Sequence, residues 1–162
     1  MIREVSGDIL LSKASVIAHG VAPNDDHAMG LARALREHAP AMYKDFRHYC
    51  KTQHPKPGSL WVWAGADGRR IVALFTQEAA YRPREHPGRA SVANVNHALH
   101  ALRQFIEREN VKSVALPKLA TGAGGLNWQD VRPVVDRQLA SLASAIILYS
   151  TFHSGQAAAE GL

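Results

Sequence analysis

The run Val114-Ala115-Leu116-Pro117-Lys118-Leu119-Ala120-Thr121-Gly122-Ala123-Gly124-Gly125-Leu126-Asn127-Trp128 reads as a strand, a glycine-rich turn and a helix start in one piece. Its first three residues are apolar on both faces of an extended chain, which suits a strand covered on both sides. The glycines let backbone N–H groups approach a ligand with no Cβ between them. Asn127 is placed to cap a helix carrying Val131, Val134, Val135, Leu139 and Leu142 at helical spacing, with Asp130 near its positive end. Pro133 falls early in that helix, and its missing N–H predicts a kinked start. Such an amino end, directly behind a glycine turn, suits an anion.

The same alternation extends in both directions. Val16-Ile17-Ala18, Leu60 to Trp63, Ile71 to Phe75 and Ala145 to Tyr149 read as buried strands, with Ile2 to Val5 at an edge. Val92, Val95, Leu99, Leu102 and Ile106 form one helical stripe. Leu31, Leu35 and Ala39 form a shorter one, which Pro40 breaks or restarts before Met42 to Tyr49. Strands alternating with helices predict a three-layer α/β/α sandwich with a mixed, largely parallel central sheet. Ligands of such sheets sit beyond the carboxyl ends of the strands.

A chain of 162 residues, 46% hydrophobic and 20% charged, is read as a single domain over 1–162 with a short tail from about 154. Lys plus Arg number 19 against 14 Asp plus Glu, and the net charge of +5 favours polyanionic partners and excludes an acidic solvating protein. The lone Cys50 excludes an intramolecular disulfide. Arg3, Glu4 and Asp8 stand where a signal peptide needs apolar residues, and the apolar runs are strand-sized. The expectation is a cytoplasmic monomer with no membrane partner, no cofactor and no metal. Cys50 with His54, and His97 with His100, are pairs lacking a second pair at ligand spacing. Trp61 and Trp63 share one strand face, for core packing or, less simply, for base stacking.

Two further strand ends carry polar or flexible backbone. One is His19-Gly20-Val21 running through Asp25, Asp26 and His27 to Met29, Gly30 and Leu31. The other is Thr76-Gln77-Glu78. With the Thr121 to Leu126 run, two such loops at neighbouring strand ends of a basic chain point to a phosphate-bearing ligand. Glu85 and His86 extend the acid–base candidates, and Tyr81, Arg82, Arg84, His86 and Arg89 make a basic loop suited to solvent or to a nucleic-acid backbone.

Several of these segments resemble a macrodomain. Gly7-Asp8-Ile9-Leu10, His19-Gly20-Val21 and Met29-Gly30-Leu31 resemble its first half. Phe75-Thr76-Gln77 and Pro117 to Trp128 resemble its second. The spacing of Pro117, Leu119, Gly122, Gly125, Leu126 and Trp128 is similar to the subgroup holding the terminal ADP-ribose protein glycohydrolase, the DarG antitoxin and the ALC remodeller macrodomain. The resemblance implies binding of ADP-ribose or an ADP-ribosylated protein or DNA. In that reading Asp8, with Ile9, receives the adenine amine. The His19–Gly30 loop and Leu31 hold the phosphate and distal ribose, near Thr76. Thr121, Gly122, Ala123, Gly124, Gly125 and Leu126 clasp the diphosphate, and Phe152 lies beside the adenine.

The resemblance also implies a departure: Gln77 stands where the subgroup's hydrolases carry a lysine, and Gly124 where the glycohydrolase carries an acid. A glutamine is neither a nucleophile nor a useful acid or base at neutral pH. Two readings follow. One is a hydrolase acting on modified carboxylates or bases, with Gln77, Asp25, Asp26 and His27 as catalytic candidates. The other is a non-catalytic reader of ADP-ribosylation. A nucleic-acid binder indifferent to ADP-ribose is a third, against which the two loops argue.

Overall fold

A computed structural model describes residues 1–80 and 87–162. Its strands are β1 (Ile2–Gly7), β2 (Val16–Val21), β3 (Leu60–Ala64), β4 (Arg70–Phe75), β5 (Ser113–Pro117) and β6 (Ala145–Phe152). Its helices are α1 (Gly30–His38), α2 (Pro40–Gln53), α3 (Val92–Arg108) and α4 (Trp128–Leu139). The sheet runs in the order β1-β6-β5-β2-β4-β3, and every neighbouring pair is parallel except β3 with β4. The expected mixed sandwich is the observed fold, with the Ile2 strand at an edge.

Alternation along the strands divides the core. Val16, Ala18, Val72, Leu74, Val114, Leu116, Ile146 and Leu148 turn to the α3/α4 layer, where they meet Leu99, Leu102, Val131 and Val135. On the other face Val21, Ile71, Ala73 and Phe75 meet Leu35, Met42 and Phe46 of α1 and α2. Trp61 and Trp63 belong to this second layer. Trp61 lies against Phe46 and Tyr49, and Trp63 Nε1 donates to Asp45 Oδ2 at 2.8 Å. Both are therefore packing residues. Pro40 restarts the chain as the first residue of α2, where its missing N–H costs nothing.

Two local expectations change. Asn127 occupies the cap position of α4 in extended backbone, but its side chain makes no capping bond. The helix ends at Leu139, with Leu142 still buried beyond it. Pro133 lies inside α4.

Among the described residues, α1 reaches the second face over β1, β6 and β5 only through Leu31. Ile9, in a 3-10 turn at Ile9–Leu11, and Ala158 cover Val5, Ala115, Ile147 and Tyr149 there. Residues 153–162 form no helix or strand, yet Glu160 is buried among them. Its carboxyl accepts from Ser12 Oγ at 2.6 Å, Lys13 N at 2.8 Å and Tyr149 OH at 2.8 Å. Burial, together with the bond to Glu160, pushes the Tyr149 hydroxyl up to about 12. Glu160→Ala leaves buried donors unpaired and is expected to cost about 2–4 kcal/mol, read by chemical denaturation.

Candidate functional site

β2 and β5 pair only at Val16 with Val114 and Ile17 with Ala115. Beyond that the strands part at their carboxyl ends. This is also where the chain order reverses, from β2 out to β3 at the far edge, back to β4 and then across to β5, the switch point at which such sheets hold ligands. A cleft of about 300 Å³ opens there. His19, Gly20 and Val21 enter it from β2, and Asp25, Asp26, Met29, Gly30 and Leu31 from the loop that follows and the start of α1. Gln77 comes from the end of β4, and Gly122, Ala123 and Gly124 from the loop after β5.

The first loop is shaped by its own carboxylates. Asp25 accepts from Ala22 N through Oδ2 (3.2 Å) and from His27 N through Oδ1 (2.8 Å), allowing Asn24 and His27 to take left-handed backbone. Asp26, exposed, accepts from Ala28 N at 3.1 Å. His27 does not line the cleft. Its ring is buried against Phe46 at 4.6 Å and Tyr43 at 5.1 Å, because the loop folds it under toward α2. Burial lowers its pKa despite the nearby Asp25.

His19 is buried on the same side, 5.8 Å from His27 between ring centroids, and neither ring nitrogen has a partner among the described residues. Burial, with the neighbouring His27 adding to it, lowers its pKa from 6.5 to about 3. Unfolded, the ring takes up a proton near pH 6.5; folded, it does so only near 3. Stability from this group is complete above about pH 6.5 and falls as the pH drops toward 3. Denaturation midpoints across that window are expected to flatten in His19→Gln.

The second loop is a tight turn with Ala120 at φ 63° and Gly125 at φ 75°. Leu126 N donates to Ala120 O, and Gly125 N donates to Gly122 O. Its glycines answer to different demands. A Cβ at Gly124 would stand 2.7 Å from Ala120 O and 2.9 Å from Ala90 Cβ, so that residue is small for the protein's own packing. A Cβ at Gly122 would meet nothing within 4 Å and would project into open space. Thr121 turns its hydroxyl back to Lys118 O at 2.9 Å, and Leu126 packs on the α3/α4 core. Neither side chain lines the cleft.

The third segment ties the first two together. Thr76 is fully buried, and its Oγ1 would lie 2.8 Å from a Cβ on Gly20, which is why β2 carries glycine there. Gln77 is only 5% exposed, bridges to Ala90 and donates from Nε2 to Gly88 O at 3.1 Å. Arg89, expected in solvent or on a nucleic-acid backbone, donates from Nη2 to Gly125 O at 3.2 Å. Glu78 is exposed and outside the cleft. Tyr81, Arg82, Arg84, Glu85 and His86 lie outside the described residues.

Asp8, Ile9 and Phe152 sit at the same edge of the sheet but outside the cleft walls. Asp8 accepts from Leu10 N at 3.0 Å and from Gly155 N at 2.9 Å, so both its oxygens hold backbone. Phe152, opposite Gly7, is 67% exposed, a large ring presented to solvent. Ala28, within the expected first loop, also lines the cleft, as do Ala32, Pro87 and Pro117 to Ala120, which are not among the expected contacts. Ala28 and Ala32 flank the quoted Met29-Gly30-Leu31, a signal in the helix start. Pro87 had none.

A family model described as Macro domain matches residues 18–135. A curated relative from Mycobacterium bovis, described as a DNA ADP-ribosyl glycohydrolase, is 27% identical over 133 residues, covering 81% of this chain. The chain spans 36–40% of the length of the curated relatives it matches. Among solved structures, the macrodomain of Thermus aquaticus DarG superposes with a TM-score of 0.79 at 24% identity, covering 93% of this chain and 98% of that one. Thermosipho africanus DarTG in complex with ADP-ribose superposes at 0.78 and 20% identity, covering 96% and 42%.

Proposed function

The chain belongs to the macro domain family, and we propose that its cleft binds ADP-ribose and hydrolyses the bond joining that group to a nucleic-acid base. The observation that carries this reading is the parting of β2 from β5, with open backbone at Gly122 on one wall and Gln77 and the Asp25–Asp26 turn on the other. The uncapped side chain at Asn127 leaves the α4 amino end to add its positive field behind the second loop. The names of relatives, DNA ADP-ribosyl glycohydrolases and a DarTG complex with ADP-ribose, supply the substrate class.

The chemistry follows from the residues present. Breaking the bond from the anomeric carbon to the base gives that carbon oxocarbenium character, which a bound diphosphate and a nearby carboxylate stabilise. A water oxygen adds to the carbon, and the departing base takes up a proton. Gln77 stands where the family resemblance places a lysine, so no covalent intermediate forms on it. Its Nε2 is anchored to Gly88 O, which fixes the amide plane, and Oε1 serves as acceptor for the attacking water. Asp25 is committed to shaping its loop. Asp26, exposed at the rim with one oxygen on Ala28 N, is the general base.

Incubation with a thymine- or guanine-ADP-ribosylated oligonucleotide is expected to release free ADP-ribose, seen by chromatography. Tight binding of ADP-ribose with no release from modified DNA or protein would leave a reader in place of the enzyme.

A further inference from the structure

The loop that forms one wall of the cleft has a second side. Pro23 and Asn24 there border a separate cavity of about 630 Å³, whose far wall is α2. That helix turns Arg47, His48, Lys51 and, just past its end, His54 into the cavity at spacings of one, four and seven residues. All four are exposed. Among the described residues no carboxylate lies within ion-pair distance of Arg47 or Lys51. Cations near a helix carboxyl end gain from its dipole. That accounts for their sign, not for the concave shape closed opposite them by Asn24. The trough is also fixed to the loop: Arg47 Nη1 donates to Asn24 O at 2.8 Å, and Asn24 N donates to Cys50 Sγ at 3.3 Å.

Asn24 and Asp25 are consecutive, about 3.8 Å apart at Cα, so cleft and trough share one loop as a common wall. An enzyme acting on a base draws that nucleotide out of the stack, and the flanking phosphates then lie beside its pocket. We infer that the trough is a phosphate-backbone site holding the nucleic-acid strand that flanks the ADP-ribosylated base. This rests on the reading of the substrate as modified nucleic acid, and it adds residues that touch neither ADP-ribose nor the reacting carbon.

The test uses the double variant Lys51→Glu/His54→Asn; asparagine suits the left-handed backbone of His54 (φ 46°). Binding of an unmodified single-stranded oligonucleotide is followed by fluorescence anisotropy across a salt series. Wild type is expected to weaken steeply with salt. The variant is expected to bind at least about tenfold more weakly, with its salt slope lower by about one. ADP-ribose affinity by calorimetry and release from an ADP-ribosylated mononucleoside stay unchanged, while KM for a modified oligonucleotide rises by the same factor. A variant matching wild type in oligonucleotide affinity and slope overturns the inference, as does equally tight binding of an acidic peptide. Oligonucleotide binding that the variant loses, with no release by wild type from any substrate, overturns the hydrolase reading alone.

Discussion

Gly122→Val is expected to lower affinity for ADP-ribose at least about a hundredfold while leaving the domain folded. The position lies outside left-handed backbone, and its Cβ direction is empty to 4 Å, so the protein tolerates the side chain. The ligand does not, because the added carbons occupy the space through which a backbone amide reaches the diphosphate. Loss of charge-assisted hydrogen bonds to the diphosphate, at about 1.5–3 kcal/mol each, accounts for that size. Calorimetric titration measures the affinity and circular dichroism the fold. Gly124→Val is the contrasting control: its side chain strikes Ala120 O and Ala90, so it is expected to lower the melting temperature as well. Wild-type affinity in folded Gly122→Val would reduce the loop to a turn.

Gln77→Ala is expected to slow release of ADP-ribose by about one to three decades, with ADP-ribose affinity changed less than about threefold. The reason is the division of labour in the cleft. Phosphate and ribose are held by backbone, whereas Gln77 orders the water and so acts on the barrier. Single-turnover rates with modified DNA separate the two effects. A fall in affinity matching the fall in rate would make Gln77 a binding residue only. Gln77→Lys gives a second readout, since a lysine there offers a route through a covalent intermediate that glutamine lacks.

The layers of this fold were legible because both hydrophobic periods are present without conflict. The Val92 to Ile106 stripe became α3, and the double-faced apolar runs became the parallel strands. The cleft was legible as far as glycine and strand ends announce it. What the sequence concealed were contacts that depend on two distant segments meeting. His27 reads as a candidate acid or base until Phe46 and Tyr43 bury it. Arg89 reads as solvated and is exposed, but its bond to Gly125 O, which ties it to the second loop, had no signal in the sequence. Asp8 reads equally as a ligand acceptor or a turn residue, and its bonds to Leu10 N and Gly155 N, the second of them 147 residues away, had no signal in the sequence. Glu160 carried no periodic signal, since an irregular segment buries side chains one at a time.

The pairing of β1 with β6 joins the first and last strands of this fold. Of the six strands of this sheet, the first to be synthesised lies at the edge, and its hydrogen-bonding partner is the sixth. Gly7 and Asp8 then bond to His153, Gly155 and Gln156, which emerge later still. Until those residues exist, β1 is a strand with unpaired backbone groups and only Ile2 and Val5 as large apolar side chains. Open backbone of that kind can recruit other chains. A high mean separation between contacting residues slows folding. During synthesis this domain completes its sheet at the end, and a chaperone that shields residues 2–7 would have its longest task there.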